Sequence, residues 1–152
     1  MRKALVQYRK TANAANSRGQ ILLKLYDGAI RFLEQAKVAM AQNRPDLKGT
    51  RISKAHAIIS ELNATLNHDI SPELCANLSS LYRFMLDQLT EANRLNSPEP
   101  LDVTIELLDS LRGAWREAVK TAEGSGAPVG QSMQLQKTRN AISERPRLSI
   151  TG

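Results

Sequence analysis

Residues 20–42 constrain this chain most, because a helix drawn through them is apolar on more than one side. Leu22, Leu25, Ala29, Phe32, Ala36 and Met40 step at 3-4-3-4-4, the spacing of a single bundle seam. Leu23, Tyr26, Ile30 and Leu33 step at 3-4-3 beside it. One seam is enough to hold a helix in a bundle. Two seams mean either a central position with a thick core, or apolar surface left over as a groove for partner helices. Methionines among the neighbouring Leu rows suit the second use, since their side chains repack against varied partners.

Three more helical patterns follow. The first helix runs to about Gln42 and stops at Asn43-Arg44-Pro45-Asp46, because the residue before a proline is pushed out of the helical region. A second helix is predicted over Leu47–Asn67, with a seam of Ile52, Ala55, Ile59, Leu62 and Leu66. Ser71, Pro72 and Glu73 then combine an N-cap residue, a proline at the first helical position and an acid in the first turn. They open a third helix over Pro72–Leu95, carrying Leu74, Leu78, Leu81 and Met85 with Tyr82 and Leu89 alongside. After Asn96-Ser97-Pro98-Glu99-Pro100 comes a fourth helix over Leu101–Ala122, inward at Leu101, Ile105, Leu108, Leu111, Trp115 and Val119, with Leu107 off that row. No β-period stretch is flanked by hairpin signals. Short loops make sequential helices antiparallel, so the fold class is all-α, an up-down four-helix bundle.

The ends read differently from the body. Residues 1–19 read as a short helical cap arm, with Leu5 and Tyr8 on one side, and a linker over residues 11–19 in which Asn16 or Ser17 caps the next helix. Residues 20–122 form the bundle. Residues 123–152, rich in Gly, Ser, Gln and Arg, lack a sustained period and read as a flexible basic tail. An arm too short to be stable alone in water needs a surface to lie against, and it would cover an apolar patch until a partner displaced it. Exchange of the arm between two copies would give a homodimer.

The net charge of +6 lies in those ends. Residues 1–10 carry Arg2, Lys3, Arg9 and Lys10 and no acid, whereas residues 11–122 hold 13 Lys/Arg and 13 Asp/Glu. Residues 123–152 carry Lys137, Arg139, Arg145 and Arg147 against Glu123 and Glu144. A duplex-binding domain would carry its charge on a folded face, and 4% aromatics is thin for a base-stacking platform. A basic-armed module binding nucleic acid or another anionic partner stays as the alternative function, to be separated by the salt dependence of binding. A structural subunit of a helical assembly is a third.

Reaction chemistry is missing from the sequence. Glu-x-x-His, the inward pair of a di-metal bundle, does not occur. His56 and His68 are 12 residues apart with no Cys or His partner at metal spacing. No phosphate-binding loop or nucleophile elbow is present. Glu34, Asp87, Glu91, Glu106 and Asp109 fall mostly on polar helix faces, and Cys75 is a lone cysteine between Leu74 and Ala76. The chain reads as not an enzyme, with no cofactor and no metal. No apolar run approaches the roughly 18 residues of a membrane span, and the N-terminus has no signal-peptide stretch, so it reads as cytoplasmic.

Five segments resemble the FliS-type flagellar export chaperones. They are Leu25-Tyr26-Asp27-Gly28-Ala29-Ile30, Lys54-Ala55-His56-Ala57-Ile58-Ile59-Ser60-Glu61-Leu62, Asn77-Leu78-Ser79-Ser80-Leu81-Tyr82, Glu91-Ala92-Asn93 and Leu111-Arg112-Gly113-Ala114-Trp115, in family order across about residues 5–120. The resemblance implies an antiparallel four-helix bundle with an N-terminal cap. It implies a cytosolic chaperone that binds the C-terminal segment of flagellin in apolar grooves, prevents early polymerisation, and delivers it to the flagellar type III export gate protein. By the same resemblance, Leu5 and Tyr8 match the cap, which the family also links to docking at the gate. Ile21, Leu25, Tyr26, Ile30, Leu78, Leu81, Tyr82 and Met85 would line the groove. One departure is Arg18-Gly19, where the family usually has proline after the serine.

Overall fold

The structure is a computed structural model. It describes the backbone of residues 2–69 and 71–125, and the side chains of residues 18–69 and 71–121. Four helices are formed: α1 (Arg2–Ala41), α2 (Pro45–Ala64), α3 (Pro72–Leu95) and α4 (Glu99–Ser125). The chain divides into two compact units, Ile21–Gly113 and the pair of segments Met1–Gln20 and Ala114–Gly152.

The bounds of α3 agree with the sequence reading, and Pro72 stands in its first turn. Elsewhere the ends move. α1 starts at Arg2, so residues 11–19 are helical rather than a linker, and Asn16 and Ser17 are not caps. The physical reason is legible in hindsight. Ala12, Ala14 and Ala15 favour helix, and Arg18-Gly19 stands where a proline would have hindered continuation. α2 stops at Ala64 instead of Asn67, with the Thr65 hydroxyl donating to Leu62 O at 3.2 Å, a local bond that competes with the helical ladder. α4 starts two residues early, at Glu99, with Pro100 in its first turn. The expected tail lies, from residue 126 on, outside the described residues.

Asn43 and Asn96 end α1 and α3 in the left-handed region, with φ of 56° and 52°. Asparagine visits that region more readily than most residues with a Cβ, because its short polar side chain bonds locally.

In the unit Ile21–Gly113 the pairings define the topology. α1 meets α2 where Lys54 Nζ stands 5.4 Å from the centre of the Phe32 ring. α2 meets α3 where Lys48 Nζ donates to Asn93 O at 3.3 Å and Asn96 Oδ1 at 3.1 Å. α4 returns to α1 through Lys37–Asp102 at 2.6 Å and Arg112–Asp27 at 2.7 Å. From Gly28 beside Ile58 to Phe32 beside Lys54, and from Lys37–Asp102 back to Asp27–Arg112, one helix advances as its neighbour retreats. Lys48, early in α2, meets the end of α3. So α2 runs antiparallel to α1 and α3, and α4 to α1. Tyr26 and Tyr82 hydroxyls bond across the diagonal between α1 and α3.

The core runs between the two apolar rows of α1. Tyr26, Ala29, Leu33 and Ala36 are fully buried, while Leu22, Leu23, Leu25, Ile30, Phe32 and Met40 are half-buried. Ile52, Ala55, Ile59 and Leu62 of α2, Leu74, Leu78, Tyr82, Met85 and Leu89 of α3, and Leu101 and Leu108 of α4 complete it. Thr104 is buried as well, its hydroxyl satisfied by Pro100 O at 3.0 Å. In the other unit, Trp115, Ala118 and Val119 form a buried face on the end of α4.

Two local features carry predictions. A methyl at Gly28 would sit 3.4 Å from Ile58 Cδ1, an ordinary contact with the end of a flexible side chain. Alanine gains about 0.5–1 kcal/mol over glycine inside a helix. Gly28→Ala is therefore expected to hold or raise the thermal midpoint, and a fall of several degrees would show that the α1–α2 approach is tighter than this geometry. Lys48 is only 8% exposed, and its ammonium sits on the last turn of α3, where the helix dipole is negative. Lys48→Met keeps the aliphatic stem but removes both bonds. A loss of about 1–2 kcal/mol in urea unfolding is expected.

Candidate partner-binding surface

The groove residues expected from sequence separate by burial. Tyr26, Leu78, Tyr82 and Met85 are enclosed, each 3% exposed or less. As placed here they are packing residues and offer a visitor no surface. Ile21 is 58% exposed; Leu25, Ile30 and Leu81 are half-buried. Leu5 and Tyr8 lie outside the residues whose side chains are described.

The accessible ones do not form one strip. Ile21 and Leu25 are one turn apart on the flank of α1 that faces α2, the side of Gly28 and Phe32. Ile30 is nine residues from Ile21, or two and a half turns, which puts it on the opposite flank. That is the side of Lys37 and Asp27, whose partners Asp102 and Arg112 lie on α4. Leu81 belongs to the flank of α3 that faces α4.

On that last flank the structure shows residues the sequence reading passed over. Phe84, three residues beyond Leu81, is 43% exposed, and Val103 of α4 is 39% exposed. With Leu107, Glu106, Asp109 and Ser110 they line an open depression of about 540 Å³. Leu107 had already stood off the inward row, and Phe84 and Val103 also fall outside their helices' seams. An apolar residue off the seam was the available signal. A second depression, of about 320 Å³, lies between α2 and α3 beside Ile52, His56 and Leu89; His56 Nδ1 is 3.5 Å from the Ser60 hydroxyl.

Electrostatics around these flanks is structural. Arg112 Nη1 and Nη2 hold Asp27 and Asp109 at 2.7 and 2.6 Å, and these carboxylates hold the guanidinium still further above its ordinary value. Its Nε is buried without a partner among the described residues. Asp102, by its bond to Lys37, raises that ammonium too. Pairs this exposed contribute about 0–1 kcal/mol each. Burial pushes the Cys75 thiol up, and its Sγ donates to Asn67 O at 3.2 Å, so it behaves as a small core residue and not as a poised nucleophile. Among the described residues no group of three or more His, Cys, Asp or Glu is gathered as a metal site, and no helix is long and apolar enough to cross a membrane.

Apolar side chains stay in solvent on more than one flank of the bundle, at Ile21 on α1 and at Phe84 and Val103 on α3 and α4. Comparison with known proteins narrows the class. Residues 1–122 match the family described as flagellar protein FliS. The flagellar secretion chaperone FliS of Vibrio cholerae is 38% identical over 119 residues, covering 76% of this chain and 88% of the relative. That of Bacillus subtilis is 34% identical over 112 residues, 71% and 83% of the two chains. The flagellar secretion chaperone FliSB of Pseudomonas aeruginosa is 32% identical over 117 residues, 74% and 93%. The chain belongs to the FliS family of flagellar secretion chaperones.

Proposed function

We propose that this protein binds the C-terminal segment of flagellin in the cytoplasm, keeps it from polymerising before export, and hands it to the flagellar type III export gate. It does so as a chaperone, without catalysing a reaction. The observation that carries the reading is apolar surface left on a folded bundle, led by Ile21 with Leu25, Ile30 and Leu81. Because those residues lie on different flanks, one straight helix in one groove does not reach them all. A client segment that wraps the bundle does. The residue range matched to the family takes in Leu5 and Tyr8, which the reading assigns to a cap that the client displaces and that meets the export gate.

Coupled folding of the client costs about 2–5 kcal/mol in ordering, so the contact must be broad and apolar. Titrating a flagellin C-terminal peptide into the protein should raise helical circular dichroism above the sum of the parts. At about 100 times its dissociation constant the peptide should add roughly 2.7 kcal/mol of stability. A simple sum of spectra with an unchanged melt would sink the reading. Binding that weakens steeply with salt would favour an anionic partner at the basic ends instead.

A further inference from the structure

We infer that the cavity where the turn between α1 and α2 meets the end of α3 binds a phosphate group, free or carried on a small molecule. Arg44, Lys48, Asn43 and Asn96 give it polar walls around a volume of about 320 Å³. One water's share of the liquid is about 30 Å³, so a phosphate fits with room for a small organic group. None of these residues is among the apolar side chains given to the client, and the site stands whether or not that client is flagellin.

Lys48 is the one buried charge among the described residues. Its ammonium donates to Asn93 O at 3.3 Å and to Asn96 Oδ1 at 3.1 Å. Both are neutral oxygens. No carboxylate pairs with it, and its third N–H has no partner among the described residues. Buried charges are ordinarily matched by an opposite one. Arg44 adds a second cation to the same cavity. It reaches Asp46 only through Nε, at 3.8 Å, with both side chains more than half exposed, so the two amino groups of its guanidinium make no ion pair. α2 opens at this point without a capping side chain, which leaves the first-turn N–H groups of Asp46 and Leu47 as further donors at the positive end of the helix. The last carbonyls of α1 do not compete for the ammonium, because Val38, Ala39 and Met40 already accept from Gln42, Arg44 and Asn43 at 2.8 to 3.1 Å.

The cavity therefore gathers donors and lacks an anion. A guanidinium fork takes two oxygens of one group, and an ammonium takes a third as a point charge. Phosphate offers that third oxygen, whereas a carboxylate has only two. A phosphate ester also carries about −1.5 to −2 at pH 7, which matches two cations.

The test keeps the full-length protein at constant ionic strength and replaces chloride with phosphate, glycerol phosphate or acetate. Phosphate should raise the thermal midpoint and move the backbone amide NMR signals of Leu47, Lys48 and Asn96 along a saturable curve, with acetate about tenfold weaker or worse. Glycerol phosphate binding as tightly as phosphate, or more so, assigns the site to an ester; weaker binding assigns it to the free ion. Arg44→Gln removes an exposed cation, so it should melt like the parent without ligand and bind phosphate about tenfold more weakly. Lys48→Met should lose saturable binding, with far-UV circular dichroism checking that the bundle persists; if it does not fold, Arg44→Gln decides alone. Equal effects of acetate and phosphate overturn the inference. So does phosphate binding the folded variants as it binds the parent, which would place the ion on the basic ends instead.

Discussion

Trp115→Ala is expected to lower stability by about 3–5 kcal/mol, the range for deleting a buried indole. Trp115 is 7% exposed on the face of α4 that also buries Ala118 and Val119. Removing the ring deletes the largest apolar contact on that face and leaves a cavity that neighbouring side chains fill only in part. For a chain of this size each kcal/mol moves the midpoint by roughly 2–4 °C, so a fall of roughly 6–20 °C should appear in a melt followed by far-UV circular dichroism. Near-native melting would show that the indole contributes little packing. The rest of α4 predicts no comparable effect at Arg112, whose ion pairs are partly exposed and individually weak.

The helical class and the core register were legible because apolar spacing records which side of a helix is buried. Leu33, Ile59, Leu78, Leu89 and Leu108 all lie on rows drawn from sequence, and all are enclosed. Element ends were less legible, because they turn on single bonds such as Thr65 Oγ1 to Leu62 O. The start of α1 was missed for a related reason: a polar, alanine-containing stretch without apolar period reads as linker, yet nothing in residues 11–19 forbids helix. Lys48 stood four residues before Ile52, in register with the seam of α2, but a lysine on a seam explains itself only when the end of α3 is seen beneath it.

The candidate site was legible in kind but not in place. Two apolar rows on α1 signalled apolar residues beyond a single seam, and Leu22, Leu23, Leu25, Ile30, Phe32 and Met40 of those rows are half-buried, whereas Ile21, 58% exposed, lies on neither row. Spacing alone could not say which members of the rows the other helices would cover. In α3 the resemblance implied a groove at Leu78, Leu81, Tyr82 and Met85; Leu78, Tyr82 and Met85 are buried, Leu81 stays half-buried, and Phe84, one turn on, is exposed. The sequence carries each helix's own periodicity. Accessibility depends on where the neighbouring helices fall, which is a property of their pairing.

Tyr82 separates these two readings most sharply. It is 1% exposed, with its hydroxyl bonded to that of Tyr26 across the bundle. Tyr82→Ala is expected to cost about 3–5 kcal/mol, as for other buried aromatic rings, while Tyr82→Phe keeps the ring and costs about 0.5–1.5 kcal/mol, the net contribution of one hydrogen bond. Binding of the flagellin peptide should then follow the fold. The phenylalanine variant should bind like the parent, and the alanine variant should lose binding only as far as its melt shows unfolded chain. A Tyr82→Ala protein that melts like the parent but no longer binds would mean the client reaches this ring directly, and that the diagonal contact between α1 and α3 opens when the client arrives. If instead binding and folding fall together, the enclosed residues serve the client at one remove. They set how far apart α1 and α3 stand, and thereby the spacing at which Ile21, Leu25, Ile30 and Leu81 meet a wrapping chain.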